Sequence, residues 1–415
     1  MYLIQSKTGD VKTLSCGFKR IDITELEREC DGALFKELVT EKNRINYLYE
    51  NKIENVYTQT RKQIIKDKAI PPICKGRAAQ KLLECMQYMP NLEFTSFVDV
   101  CAGPGAMSDI ILKSCECSGV GITLNQEDTS KDFYDFLKTH PKYTIISYDD
   151  GDITRQEVRA DVSAAIDAIF GERNTELVVC DGAPSLSFED ENFQEIYHQK
   201  ILISELIIAL DCVASHGSIT IKLFDCFTKF TKSIVFFVSR VFKQCKIVKP
   251  ETSRVVNSER YLIATGLLLT NERRYAYIEH LNKIAVNFRD GFNCEEPFCI
   301  ERDQRFEHTF GNMVSDIAKQ QINCLRNIMD TIDKNLFGIE PPQRESKNYK
   351  DSKGKKKGKK GKSPHRYEPY GMKGKGNKDT ANEQHSTTEH VRIEQNDNTC
   401  EDDYNPFDDD AMFPD

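Results

Sequence analysis

Short apolar runs that alternate with longer helical patterns are the feature that most constrains the fold of this chain. Each run is bounded by turn residues and is rich in β-branched side chains, as buried strands are. The seven runs are SFVDVCAG, GVGITL, YTIISY, ELVVCDGAP, GSITIKLF, CKIVKP and RYLIATGLLL. Helical patterns occupy residues 104–114, 126–139, 155–169, 190–214 and 229–243. Such alternation predicts an α/β fold: a parallel, doubly wound sheet with helices on both faces, finishing in a strand pair.

The segments on either side of this alternation are charged and helical in pattern. Residues 22–66 precede the sheet and residues 271–337 follow it. Because 39% of the 415 residues are hydrophobic, the chain can bury a large core. We predict four parts, which are an N-terminal helical segment (1–70), a central core (71–270), a C-terminal helical extension (271–343) and a tail (344–415).

The tail is set apart by its charge and by its very small number of aliphatic residues. From Arg344 to Lys378 there are 14 Lys and Arg against 3 Asp and Glu, and from Asp379 to Asp415 there is 1 against 12. No core can form from such a composition, which predicts disorder. The run KGKKKGKKGK is typical of a nuclear localisation signal or of a sequence-independent grip on RNA, and a plain spacer is the alternative.

The cysteines and the hydrophobic stretches exclude several classes of protein. The 15 cysteines are scattered without paired C-x-x-C spacing, so we expect reduced thiols of a cytosolic or nuclear protein and no structural metal. The start of the chain lacks the pattern of a secretion signal. The most apolar stretch, residues 201–210, contains Glu205 and is too short to span a bilayer, so we expect a core helix and no membrane contact.

One strand, glycine turn and helix start, FVDVCAGPGAMSD at residues 97–109, has the form of a ligand-binding turn. Gly103 and Gly105 let the backbone approach a ligand closely, and the helix amides that follow are hydrogen-bond donors. The segment lacks the third glycine of the dinucleotide fingerprint, which disfavours a pyrophosphate ligand. Asp99 suits the ammonium of S-adenosylmethionine, and an ordinary strand-to-helix turn is the alternative.

A second candidate contact lies in GDIT, which follows the third predicted strand. Asp152 is placed to accept a hydrogen bond from an adenine amino group, with Ile153 packed on the ring. A helix cap made by Asp152 or Thr154 is the equally weighted alternative.

Four charged residues are candidates for chemistry. Asp181 lies at the carboxyl end of the fourth predicted strand, where open α/β sheets bind ligands. Lys222 lies inside an apolar strand, where burial of an ammonium is costly unless carboxylates compensate. Glu259 precedes the last strand, and Lys81 is on a helix one turn after Arg77. A structural salt bridge at Lys222 and solvated surface charges at Lys81 and Glu259 are the alternatives.

Read together, these segments resemble the FtsJ-type (RrmJ-like) ribose 2′-O-methyltransferases, and within them the branch that forms cap-1 on eukaryotic mRNA. The resemblance covers residues 35–335 and is carried by RAAQK, VDVCAGPGAMSD, GVGITL, GDITR, KLFDCFTKF and KPETSRVVNSERY. It implies a Rossmann-like S-adenosylmethionine-dependent methyltransferase sheet with flanking helices. The Lys-Asp-Lys-Glu tetrad of the family is matched by Lys81, Asp181, Lys222 and Glu259.

The resemblance also implies binding residues. For the methyl donor these are Asp99, Cys101, Ala102, Gly103, Gly105, Ala106, Thr123, Asp152, Ile153 and Asp181, and for the RNA and its cap Lys42, Arg77, Arg254, Asn257 and Arg260. The chain departs from the family where Ala106 and Ala183 replace usual glycines and where Ile45 replaces an aromatic residue, with Tyr47 nearby.

In the mechanism that the resemblance implies, Lys222 takes the proton of the ribose 2′-hydroxyl without a metal, while Asp181 and Glu259 orient it. Lys81 would steady the developing alkoxide. The expected substrate is 7-methylguanosine-capped RNA, in the nucleus, with the capping machinery or RNA polymerase II as candidate partners. The alternatives are another RNA target (cap-2, small nuclear or ribosomal RNA), an inactive cap-binding adaptor, or an interaction protein organised by its charged tail.

Overall fold

The computed structural model describes residues 1–4, 7–20, 32–90, 93–124, 132–148, 150–289 and 291–338. The predicted disordered tail, with its basic run, lies outside the described residues, as does the first part of the helical pattern at 126–139.

The centre of the fold is a sheet with the strand order β1-β8-β9-β7-β6-β3-β4-β5. The strands are β1 (Tyr2–Ile4), β3 (Ser96–Val100), β4 (Ser118–Ile122), β5 (Tyr143–Ile146), β6 (Thr175–Cys180), β7 (Val213–Phe224), β8 (Phe242–Val248) and β9 (Glu259–Leu267). The five adjacent strands β5, β4, β3, β6 and β7 run parallel to one another, whereas β9, β8 and β1 are antiparallel to their neighbours. The predicted α/β sheet and its final strand pair, β8 and β9, are confirmed. The short edge strand β1 was not predicted.

Helices cover both faces of this sheet because its strands are apolar on both sides. They are α4 (Gly76–Met86), α5 (Ala106–Ser114), α6 (Asp135–Lys138), α7 (Gln156–Phe170), α8 (Gln194–Cys212), α9 (Lys229–Val241) and α10 (Asn271–Ala285). Successive residues of β3 point to opposite faces, so Val98 packs with α7 to α10 while Phe97 packs with α4 and α5. Burial of a side chain such as Phe97 stabilises the fold by about 1.5–3 kcal/mol.

The terminal helices pack against each other beside the sheet. They are α1 (Gly32–Asn43), α2 (Asn46–Glu50), α3 (Glu54–Ile64) and α11 (Gln304–Phe337). Leu38 of α1 and Leu325 of α11 lie in one buried cluster. Around it, Arg44 contacts Asp330 at 2.8 Å and Asp333 at 2.7 Å.

A two-stranded ribbon of β2 (Phe18–Arg20) and β10 (Phe292–Cys294) corrects one expectation about the cysteines. Antiparallel pairing of these strands brings Cys16 next to Cys294, and the two form a disulfide. The expectation of free thiols throughout was wrong for this pair, because 278 residues separate the two cysteines in the sequence. Other cysteines within the described ranges, such as Cys85, Cys180 and Cys212, are buried thiols.

Candidate active site

The four predicted catalytic residues come from four elements that meet at one edge of the sheet. Lys81 lies on α4, Asp181 directly follows β6, Lys222 is on β7 and Glu259 begins β9. Lys222 pairs across strands with Tyr261, and Phe224 pairs with Glu259, so these side chains share one face of the sheet. The parallel register of Cys180 with Ile221 brings Asp181 beside Lys222.

The four side chains form two ion pairs. Lys81 Nζ lies 3.0 Å from Glu259 Oε1 and 3.1 Å from Oε2. Lys222 Nζ lies 3.3 Å from Asp181 Oδ1. The side chains of Lys81, Lys222 and Glu259 are 8–10% exposed, while that of Asp181 is 20% exposed. The site is therefore largely removed from water and opens beside Asp181.

The two carboxylates experience different fields. Burial on its own would raise the pKa of Glu259, but Lys81, Lys249 and Lys222 together lower that pKa to about 2. At Asp181 burial prevails, and its pKa is raised although Lys222 and Lys81 oppose the shift. Glu259 is thus a fixed negative charge, whereas Asp181 is the carboxylate whose charge is less strongly held.

Three residues that the sequence analysis missed hold the tetrad in place. Lys249 Nζ donates to the carbonyl oxygens of Asn257 at 2.6 Å and Glu259 at 2.8 Å, and to Ser253 Oγ at 2.8 Å. Ser253 Oγ donates to Glu259 Oε1 at 2.8 Å. Tyr261 Oη donates to Asp181 Oδ1 at 3.0 Å.

Lys249 was open to prediction by the argument used for Lys222, since it directly follows the apolar residues of the run CKIVKP. Tyr261 and Ser253 required the strand register and the loop conformation. Burial lowers the pKa of Lys249 to about 7, although three hydrogen-bond acceptors surround its ammonium.

The glycine turn after β3 lies next to this tetrad and has the shape of a ligand cradle. Cys101 has a left-handed φ of 62°, and Gly105 has a φ of 104°. A Cβ at Gly105 would lie 2.2 Å from Leu137 Cδ1, so only glycine fits there. Ala102 N donates to Ile122 O at 2.8 Å, which ties the turn to the end of β4 beside Thr123. Gly103 is half-buried, and Ala106 begins α5.

Asp99 lies beneath this turn and is completely buried. Its Oδ2 accepts from Ser108 Oγ at 2.6 Å, and Ser108 in turn contacts Tyr143 Oη at 2.7 Å. Its Oδ1 has no hydrogen-bond partner in the described part of the chain. Burial raises the pKa of Asp99 to about 7. A cationic ligand group above the turn would therefore supply what this carboxyl lacks.

Asp152 and Ile153 lie in a loop that leads into α7. Asp152 Oδ1 accepts from Thr154 N at 2.9 Å, which makes a turn before the helix, whose N-cap position is Arg155. The side chain of Asp152 therefore does not cap this helix. Arg159 NH1 donates to the carbonyl oxygens of Ile153 and Thr154, both at 2.9 Å, and fixes the loop from below.

Two of the predicted RNA contacts belong to a basic cluster, which we define as Arg61, Arg77 and Arg254 around Asp67. Arg77 NH2 and Arg254 NH2 lie 3.0 Å and 3.5 Å from Asp67 Oδ2, and Arg61 NH1 lies 3.4 Å from Asp67 Oδ1. Three guanidinium groups thus surround one carboxylate. Burial and the neighbouring Arg61 lower the pKa of Arg254 to about 10.

The other predicted RNA contacts differ in their access to solvent. Arg260 is fully buried, and its guanidinium donates to Ser258 O at 3.3 Å and lies 3.7 Å from Asp225 Oδ1. A side chain next to Glu259 in the sequence points to the opposite face of β9, so this structure does not support the prediction of Arg260 as an RNA contact. Lys42 is also buried, with its Nζ 2.9 Å from Ser258 Oγ and 3.3 Å from Asp225 Oδ2. Asn257 is half-buried.

The position where the family has an aromatic residue lies in the helical layer. Ile45 is completely buried, whereas Tyr47 is 47% exposed and packs edge-on against Phe337 with ring centroids 5.8 Å apart. Among the described residues no group of His, Cys, Asp and Glu side chains is placed to hold a metal ion. No helix in the described ranges is both long and apolar enough to cross a membrane.

Comparison with known proteins matches residues 74–267 to the FtsJ-like methyltransferase family. The chain is 28% identical to a cap-specific mRNA (nucleoside-2′-O-)-methyltransferase 1 of Trypanosoma brucei, over 62% of this chain and 73% of that protein. The corresponding protein of Trypanosoma cruzi is 31% identical, over 56% of this chain and 65% of its own length. That of Mus musculus is 35% identical over 57% of this chain, which spans only 30% of the mouse protein.

Proposed function

We propose that this chain uses S-adenosylmethionine to methylate the ribose 2′-oxygen of the first transcribed nucleotide of 7-methylguanosine-capped RNA. The match of residues 74–267 to the FtsJ-like methyltransferase family supports this proposal. The observation that carries the proposal is the convergence of Lys222 with Asp181 and of Lys81 with Glu259, beside the glycine turn after β3. The cap-specific names of the relatives support the choice of substrate.

The residues of the glycine turn fit the proposed donor. When bound, S-adenosylmethionine supplies a methyl group on a sulfonium, which is already activated for transfer. Asp99 Oδ1, buried and without a described partner, would accept from the ammonium of the donor. The backbone at Cys101, Ala102, Gly103, Gly105 and Ala106 would follow its amino-acid part, and Thr123, Asp152 and Ile153 would contact its nucleoside.

The tetrad would perform the proton transfer and hold the acceptor. Lys222 Nζ, in its neutral form, would accept the proton of the ribose 2′-hydroxyl. The ribose oxygen would take the methyl group as the methyl–sulfur bond breaks and the sulfur leaves as a neutral thioether. Asp181 and Tyr261 fix the direction of Lys222, while Lys81 stabilises negative charge that develops on the oxygen. Glu259 keeps Lys81 in place. Exclusion of water from this site strengthens each of these interactions.

The RNA would enter over the basic cluster and the loop between β8 and β9. Arg77 and Arg254 carry the charge that backbone phosphates require, and Asn257 on the same loop would contact the cap. Lys42, held by Asp225 and Ser258, would contribute to the cap site through the position of this loop. We further propose a nuclear location and work beside the capping machinery or RNA polymerase II, as a cap-forming activity would require.

The test is transfer of labelled methyl from S-adenosylmethionine to short RNAs that carry an unmethylated cap, a 7-methyl cap, a cap-1 end or a 5′ triphosphate. We expect transfer to the first ribose of the 7-methyl-capped RNA and none to the cap-1 RNA. Lys222→Ala should lose about a hundredfold or more of the rate, and Lys243→Ala, an exposed lysine on β8, should lose none. RNA binding without transfer to any RNA would instead support the adaptor alternative.

A further inference from the structure

A carboxyl group that the proposed mechanism does not use lies directly behind the tetrad. Glu205 is on α8, in the apolar stretch ILISELIIAL, and is completely buried. Its Oε1 accepts from Gly182 N at 2.7 Å, and the Cys101 thiol lies beside the same carboxyl group. A buried carboxyl group in an apolar helix is costly unless it has partners. Both partners of Glu205 belong to backbone segments of the active site.

The two partners come from different strands. Cys101 begins the glycine turn after β3, and Gly182 follows Asp181 after β6. The contact is tight, because a Cβ at Gly182 would lie 2.7 Å from Glu205 Oε1 and 3.1 Å from Cys101 Sγ. Glu205 therefore lies against the ends of two neighbouring strands, β3 and β6.

The environment of Glu205 favours its neutral form. Burial raises the pKa of Glu205 to about 8. Its Oε2 lies 4.0 Å from His198 Nε2, and burial lowers the pKa of that imidazole to about 3. Neither of these two atoms has a hydrogen-bond partner among the described residues. The charged or titratable groups around Glu205 are His198 on α8, Cys101 after β3, Cys180 and Asp181 at the end of β6, and Lys222 on β7.

We propose that Glu205 is a positioning residue for the methyl donor, and that its neutral carboxyl group holds the backbone of Cys101 and Gly182 in the conformation that the donor requires. This inference rests on the proposed function. A neutral carboxyl group at this position leaves the charges of the tetrad unchanged. An ionised Glu205 would add a third negative charge near Asp181 and Glu259, which are paired with two lysines. The Oε2 atom of Glu205 also lies 4.0 Å from His198 Nε2, which has no hydrogen-bond partner among the described residues. An amide would reproduce both features.

The test measures the dissociation constant of S-adenosylhomocysteine for the full-length chain by calorimetry, without RNA. Glu205→Leu removes the hydrogen bonds at similar volume, and we expect binding to weaken about tenfold or more, which is what the loss of a buried hydrogen bond costs. Glu205→Gln should remain within about threefold of the parent protein. Leu210→Ala, a fully buried truncation further along α8, controls for loss of stability alone and should leave the dissociation constant unchanged.

If Glu205→Leu does not fold, the pH dependence of S-adenosylhomocysteine binding tests the proposal instead. Above about pH 8, ionised Glu205 would repel the lone pair of His198 Nε2, so binding by the parent protein should weaken relative to binding by Glu205→Gln. The comparison cancels the titration of Lys222, Asp181 and the thiols, which both proteins share. Parallel curves from pH 6 to pH 9, or a folded Glu205→Leu protein with parental affinity, would overturn the inference. Failure of the parent protein to bind S-adenosylhomocysteine would instead contradict the proposed function itself.

Discussion

Replacement of Glu259 by glutamine tests the electrostatics of the tetrad through stability as well as through activity. The folded protein lowers the pKa of Glu259 from 4.5 to about 2, chiefly by opposing burial with the charges of Lys81, Lys249 and Lys222. At about 1.4 kcal/mol per pKa unit, ionised Glu259 contributes about 3 kcal/mol to the free energy of unfolding at neutral pH. Glutamine keeps the shape of the side chain and removes this charge, so Lys81 stays buried beside an uncharged partner.

The sign of the pH dependence follows from the direction of the shift. Folding favours the ionised form of Glu259, so its contribution is fully present above the unfolded pKa, near 4.5, and is lost as pH falls through about 2. The difference in unfolding free energy between the parent protein and Glu259→Gln should therefore be about 3 kcal/mol at pH 7, and it should shrink steadily below pH 4.5.

Urea unfolding of both proteins at pH 7, 5, 4 and 3 measures this difference. Glu251→Gln is the matched control, because Glu251 lies in the same loop with a side chain that is 78% exposed, and we expect no measurable change from it. Equal stability of Glu259→Gln and the parent protein at pH 7, or a difference that does not depend on pH, would refute the electrostatic reasoning.

Three further substitutions probe neighbouring contacts. Tyr261→Phe removes the hydrogen bond to Asp181, and we expect methyl transfer to slow about fivefold to tenfold in single-turnover assays while the affinity for S-adenosylhomocysteine is kept. Lys249→Met removes three hydrogen bonds from the loop that carries Asn257, so the KM for capped RNA should rise about tenfold or more, and an unchanged KM would argue against this role. Gly105→Val places a side chain where Leu137 lies and strains a left-handed residue, so calorimetry should show loss of donor binding.

The sequence was sufficient to predict the parallel part of the sheet, whereas the grouping of Lys81 and Glu259 with Asp181 and Lys222 was implied by the family resemblance. Strands such as β3 and β6 are short, apolar on both faces and closed by glycine turns, so local pattern and global fold agree there. Because parallel strands end at the same edge, Asp181 was bound to lie near the turn that follows Val100. Their catalytic and binding roles remain predictions.

Other features depend on contacts between distant parts of the chain. The edge strand β1 has three residues and pairs with β8, which no local pattern reveals. The sequence also did not reveal which charged side chains are buried. A charged residue in a strand usually points toward solvent, but Arg260 is fully buried. Here its guanidinium finds Ser258 O and Asp225 in the interior. The pairing of Cys16 with Cys294 likewise required the fold.

The insertion of β9 between β7 and β8 explains why the site is built as it is. If the sheet had continued in parallel order, β8 would lie beside β7, and no carboxylate would begin the neighbouring strand opposite Phe224. The antiparallel return instead sets Tyr261 opposite Lys222 and Glu259 opposite Phe224. It also leaves Lys249, the residue after β8, within hydrogen-bonding distance of the first residue of β9. The loop that connects β8 and β9 thus carries Arg254 and Asn257 to the edge of the sheet at which Asp181 and the glycine turn lie. One change of strand direction therefore places Glu259, Tyr261 and Lys249 in the active site and the proposed RNA contacts beside it.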